Sequence, residues 1–217
     1  KNMNPKMLAS FEDGSKTMIE MTALANAINL PPDQIGMNGP VSSVEELNKV
    51  LIPQADGGVL SESGRVDYAF GPAPGVFSIV KSDNPTVIEE MEYLSMGEGP
   101  YYTLYRPYHL ASIEAPRSIG MAIINNEPGL QPKSWIAEVI GHAKKDLKKG
   151  EKIDGIGGFA TYGVTYPVAN TDNLIPLGLL EGATVIKDLK KDEPITKDSV
   201  ELPENLINSL RKLQEAS

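Results

Sequence analysis

The sequence predicts an α+β, or mixed α/β, chain in two parts. Helices with a mixed sheet occupy residues 1–130, and a small β-rich part with a C-terminal helix occupies 131–217. Three observations carry this expectation. The first thirty residues combine capping residues with apolar positions at helical spacing. Short β-branched and aromatic runs, broken by glycine and proline, then alternate with capped helical segments as far as Glu127. Pro128–Ser134 has two prolines, a glycine and little periodicity, and beyond it the lysines concentrate and a degenerate repeat appears.

Asn4-Pro5 places a proline at a helix start, and Leu30-Pro31-Pro32 stops a second helix. In that second helix Asp13, Gly14 and Ser15 supply capping chemistry, and Met18, Met21, Leu24, Ala25 and Ile28 recur on one face, which is expected to be buried. Lys16 and Glu20 share another face, with Asn26 further along. They read either as an exposed ion pair worth a few tenths of a kcal/mol or as a functional lysine beside a carboxylate. Ser43 with Glu46 has capping-box order and predicts a short helix to Val50. Arg65–Phe70 and Val76–Val80 read as two strands joined by a tight turn at Gly71–Gly75, and Asn84-Pro85 starts a helix running to Leu94.

Tyr101–Leu110 is the densest aromatic and polar stretch, with four tyrosines, Arg106 and His109. It reads either as a pocket in which Arg106 grips a phosphate or carboxylate, or as a half-buried strand whose arginine reaches into solvent. A helix follows with Pro116 near its first position and an apolar face of Ile119, Ala122 and Ile123. In the second part, Lys144–Ile153 and Ile186–Ile195 are two degenerate copies of one pattern: a leucine anchor, then a charged tight turn. They predict two similar β-corners in one compact module. Leu206, Leu210 and Leu213 mark one face of a closing amphipathic helix, Glu204–Gln214.

Composition narrows the function classes. There are no cysteines, which removes disulfides and thiolate chemistry and agrees with a cytoplasmic location. The two histidines, His109 and His142, have no ligand-spaced partner, leaving only carboxylate sites for a divalent metal. A net charge of −9 disfavours nucleic acid and anionic membranes, and no apolar run reaches the roughly 18–20 residues of a membrane span. Gly155–Ala160 satisfies the G-x-G-x-x-A spelling of a dinucleotide loop, but Thr161–Pro167 after it is β-branched and aromatic where that motif needs a helix. The spelling is therefore set aside.

Three stretches carry a family resemblance. Met3–Leu8 running into Phe11–Thr17 and Glu20–Thr22, together with Tyr93–Leu110, resembles the homoserine-dehydrogenase-like oxidoreductases that end in a SAF domain, a group that includes the 1-deoxy-D-xylulose 5-phosphate reductoisomerase-like enzymes. Ala137–Leu202, through Gly155–Phe159 and Leu174–Leu179, is similar to their SAF module.

The resemblance implies a substrate and dimerisation domain over 1–130 and a SAF domain over 131–217. It implies an NADP- or NAD-dependent oxidoreductase of a small hydroxy or keto compound, a homo-oligomer whose cofactor sits on a Rossmann domain not found in this sequence. This chain alone is then expected to be inactive. Lys16 matches the catalytic lysine, and Asn4, Lys6, Tyr105, Arg106 and His109 match substrate-binding positions. The alternative is a stand-alone SAF-containing module that binds a ligand or assists assembly without catalysis.

Overall fold

The computed structural model describes residues 4–108 and 110–216. Its helices are α1 (Pro5–Glu12), α2 (Ser15–Ile28), α3 (Leu47–Val50), α4 (Pro85–Tyr93), α5 (Ala111–Gly120) and α6 (Leu206–Glu215). Its strands are β1 (Val76–Lys81), β2 (Tyr101–Arg106), β3 (Ala137–Ala143), β4 (Thr161–Pro167), β5 (Thr184–Val185) and β6 (Val200–Glu201), which pair antiparallel as β1–β2, β3–β4 and β5–β6. The fold is α+β, with a β-rich C-terminal part and a closing helix. The described residues up to Gly36 and from Pro132 onward form one compact unit, and Met37–Gln131 form another. The composition break near residue 130 therefore coincides with one crossing between units, while α1 and α2 cluster with the C-terminal part.

In the first unit, Asn4 caps α1 by accepting from the Lys6 and Met7 amides, and Gly14, at φ +81°, turns the chain into α2. The face that α2 buries differs from the expected one. Met18 and Ala25 are buried as anticipated, but Leu24 and Ile28 are 38% and 46% exposed, and Ser15 and Thr22 take their place inside. Hydrogen bonding explains the rotation. Ser15 Oγ accepts from the Gly163 amide at 2.9 Å, and Thr22 Oγ1 lies 3.0 Å from Thr165 Oγ1, which itself donates to the Met18 carbonyl. The hydroxyl groups thus satisfy polar groups of α2 and β4 that burial would otherwise leave unpaired.

Asn26 joins α2 to the strand that begins 111 residues later. Its Oδ1 accepts from the Ile136 and Ala137 amides at 2.9 and 3.1 Å, and its Nδ2 donates to the Ala137 carbonyl at 3.0 Å. One side chain thereby mimics a strand partner for the start of β3.

The two degenerate repeats pair with each other. Leu147 and Leu189 exchange both backbone hydrogen bonds, at 2.9 and 3.0 Å, and both are buried. Asp188 receives Lys148 Nζ and the Lys149 amide, while Asp146 receives Lys190 Nζ and the Lys191 amide. Within each copy an acid closes its own corner, Glu151 on the Lys148 amide and Glu193 on the Lys190 amide. The expected β-corners are therefore related by a local pseudo-twofold.

The second unit is built on Leu47, Leu51 and Leu60, with Phe77 and Ile79 of β1 packed against them. Three expectations change here. Arg65–Phe70 is not a strand: the Asp67 carboxylate is wrapped by the amides of Asn38, Gly39 and Tyr68, and Val66 and Phe70 make only isolated bridges, Phe70 with Val41. β1 pairs instead with β2, Phe77 opposite Tyr105 and Ile79 opposite Thr103. Ser43 makes no side-chain cap, so residues 44–46 form a 3₁₀ turn ahead of α3. Pro116 lies inside α5, which starts at Ala111, five residues earlier, where Glu114 Oε2 accepts from the Leu110 amide at 3.1 Å.

Candidate functional site

The residues singled out from the sequence fall in both units. Asn4, Lys6 and Lys16 belong to the first, Tyr105 and Arg106 to the second, and His109 lies outside the described residues.

Lys16 stands in the first turn of α2 on its solvent side. Its Nζ lies 3.4 Å from Glu20 Oε1 and 4.3 Å from the centroid of the Phe11 ring, and its side chain is 32% exposed. A carboxylate from one side and an aromatic face from another hold the ammonium while leaving it reachable from solvent. Leu24 continues the same i, i+4 row, and Met7 lies one turn before Phe11 on α1, both about as exposed as Lys16 or more.

Beneath this face the hairpin of α1 and α2 is fixed by polar contacts that no local pattern announces. Lys144 Nζ donates to Asp13 Oδ2 at 2.7 Å and to the Gly158 carbonyl at 3.1 Å, and Asp13 Oδ1 accepts from the Ser15 amide at 2.9 Å. Burial alone raises the Asp13 pKa, but the hydrogen bonds from Lys144 and Ser15 and the Lys144 charge outweigh it and hold the carboxyl below its ordinary value. Lys6 Nζ donates to the Asp154 carbonyl at 3.0 Å and so ties α1 to the loop at 154–160, while Asn4 caps the helix.

That loop does not fit a nucleotide pyrophosphate. The Asp154 carboxylate accepts from the Phe159 amide at 2.7 Å and the Ala160 amide at 3.1 Å, the donors that a phosphate would need. Gly157, at φ +72°, sits so close to α1 that an added Cβ would stand 2.0 Å from the Lys6 carbonyl oxygen. The glycines serve a close helix–loop contact, and an internal carboxylate already occupies the amides.

In the second unit Arg106 pairs with Glu114, whose other oxygen caps α5, and its side chain is 58% exposed. Tyr105 donates its hydroxyl to the Pro72 carbonyl at 2.7 Å. Nearby, the Tyr101 hydroxyl donates to Asp56 Oδ2 at 2.5 Å, and Lys81 lies 3.6 Å from the same oxygen.

A second polar cluster sits under the pseudo-twofold. His142 is 8% exposed, with Nδ1 2.9 Å from the Asp192 carbonyl and Nε2 3.0 Å from the Tyr166 hydroxyl. A carbonyl only accepts, so Nδ1 carries the proton and Nε2 accepts from Tyr166. Tyr162 donates to Asp192 Oδ1 at 3.1 Å, and burial together with that hydrogen bond pushes its pKa up to about 12. Among the described residues no three histidines, aspartates or glutamates converge as metal ligands, and no helix is long and apolar enough to cross a membrane.

A family model described as the catalytic domain of the oxidoreductase DRL matches residues 1–115, and a SAF-domain model matches residues 129–201. The first covers more than half of the chain, which therefore belongs to the DRL oxidoreductase catalytic-domain family. A comparison with curated proteins finds no match.

Proposed function

We propose that the chain supplies the substrate-facing and dimerising part of an NAD(P)H-dependent oxidoreductase of the homoserine-dehydrogenase-like, reductoisomerase-like kind, acting on a small hydroxy or keto compound such as a sugar phosphate. NADP or NAD is held by a Rossmann domain outside these residues, and the enzyme works in the cytoplasm as a homo-oligomer. The observation that carries this reading is the Lys16 ammonium, braced by Glu20 and Phe11 on the solvent side of a hairpin that lies within the matched catalytic segment.

In this reading Lys16 donates a hydrogen bond to the substrate oxygen on which negative charge develops, and Glu20 keeps the ammonium in place. Asn4 and Lys6 position the hairpin. By the family resemblance Tyr105, Arg106 and His109 are further candidates for binding the anionic end of a substrate. Because Asp154 fills the amides of the glycine loop, no step is assigned to a nucleotide bound there.

The test is Lys16→Ala in the enzyme that includes its nucleotide-binding domain. Turnover should fall by at least about tenfold with the thermal transition unchanged. Near-normal turnover removes Lys16 from the mechanism. The filled glycine loop is equally compatible with a ligand-binding or assembly module that lacks catalysis. Lys16-dependent turnover decides against that second reading.

A further inference from the structure

We propose that Asn38 is a site of spontaneous deamidation, that the Asp67 carboxylate guards it in the folded chain, and that conversion keeps its segment from closing again. Asn38-Gly39 is the one Asn-Gly step in the sequence. Glycine has no side chain to shield its amide nitrogen from the carboxamide before it, so ring closure is least hindered at this step. The Gly39 nitrogen attacks Asn38 Cγ, the Cγ–Nδ2 bond breaks, and Nδ2 leaves as ammonia with the Gly39 amide proton. Water then opens the succinimide at either carbonyl, giving aspartate or isoaspartate at position 38. The fold nevertheless requires the glycine: its φ is +54°, and a Cβ there would overlap the Tyr68 ring.

Both nitrogens of the reaction are held on Asp67. Gly39 N donates to Oδ1 at 2.9 Å and Asn38 Nδ2 donates to Oδ2 at 2.8 Å. The Asn38 amide donates to both oxygens, at 3.1 and 3.0 Å, and the Tyr68 amide to Oδ1 at 2.8 Å. Ring closure must release the Gly39 N–H, whose nitrogen turns its lone pair on Cγ, and the carboxamide, which rotates to meet it. Charge opposes the reaction as well. Loss of the Gly39 amide proton, and the oxyanion formed at Cγ, each place a second negative charge beside Asp67.

Asn38, Gly39, Asp67 and Tyr68 are all half-buried, which strengthens that repulsion. The next residues are zipped to the same segment: Phe70 N donates to the Pro40 carbonyl and Ser42 N to the Phe70 carbonyl, both at 2.9 Å. Asn38 therefore reacts when the whole segment opens. The product does not fit the site it left. A carboxylate at position 38 faces Asp67 Oδ2 where an amide had donated, and isoaspartate also lengthens the backbone ahead of Gly39. The inference does not depend on the proposed chemistry.

The experiment is peptide mapping by mass spectrometry of the 217-residue chain, incubated at mildly alkaline pH both folded and in urea. Conversion at Asn38 should be at least about 100-fold slower in the folded chain, a barrier difference of about 2.7 kcal/mol. Asp67→Ala, with circular dichroism confirming the fold, should convert at least about tenfold faster than the unaltered folded chain. If that variant unfolds, Asp67→Asn takes its place under the same expectation. Hydrogen exchange across residues 38–42 should be at least about tenfold faster in Asn38→Asp than in the unaltered chain. A folded chain that converts as fast as the unfolded one overturns the guard. A folded Asp67 variant that converts as slowly as the unaltered chain removes Asp67 from it. Unchanged exchange in Asn38→Asp overturns the claim that conversion keeps the segment open.

Discussion

Replacing Asn26 with leucine tests whether one amide side chain joins the N-terminal hairpin to β3. The substitution keeps the approximate size and removes three hydrogen bonds, from the Ile136 and Ala137 amides and to the Ala137 carbonyl. Ala137 is fully buried and Ile136 is half-buried, so the orphaned groups have little water to turn to. At about 1–3 kcal/mol for each buried group left unpaired, discounted because the Ile136 amide lies nearer to solvent, the expected loss is about 3 kcal/mol. Asn26→Asp keeps the acceptor for the Ile136 and Ala137 amides but sets a carboxylate oxygen against the Ala137 carbonyl, so it too should destabilise. Trp135, the only tryptophan, lies beside the affected strand and under the Arg211 guanidinium, which makes its fluorescence a direct probe in urea unfolding. A leucine variant within about 0.5 kcal/mol of wild type would refute the reasoning, because apolar packing alone would then hold the hairpin on β3.

Gly157→Ala should destabilise by about 2 kcal/mol or more, since the new methyl meets the Lys6 carbonyl at 2.0 Å in a backbone at φ +72°. Gly178→Ala, where nothing lies within 4 Å, serves as the matched control in the same thermal melts and should change little. His142 gives a pH dependence of defined sign. Burial holds its pKa below 6.5 against the opposing hydrogen bond and charge of Asp192, so the unfolded chain takes the proton first. Stability should therefore be fully present above pH 6.5 and decline as pH falls from there to the folded-state value, by at most about 1.4 kcal/mol per unit. His142→Gln should flatten that slope in urea melts at pH 7.5 and pH 5.5; an unchanged slope would remove His142 as its source.

Much of the local structure was legible because its causes are local. The Asn4-Pro5 and Asn84-Pro85 starts, the stop after Ile28 and the corner closures by Glu151 and Glu193 each depend on residues within a few positions of one another. The same holds for Lys16, whose partners Glu20 and Phe11 lie four and five residues away. Where a partner came from far along the chain, the local pattern misled. Arg65–Phe70 has strand composition, yet Asp67 is engaged by amides 28 and 29 residues earlier, and the strand is not formed. The apolar spacing of α2 pointed to Leu24 and Ile28, whereas the buried face was chosen by Gly163 and Thr165.

The sequence by itself determined the starts of α1 and α4, the stop of α2, the corner repeats, the absence of thiol chemistry and the failure of the glycine spelling to open a helix. It also determined that α6 has an apolar stripe. Only the tertiary structure decided which way that stripe faces, that α1 and α2 belong with residues beyond 132, and that Asp154 occupies the amides of its own loop. The physical reason is one of range. Capping, turn geometry and helical periodicity are settled over one or two turns of chain. The face that a helix buries is settled by which distant polar groups must be paired once water is excluded.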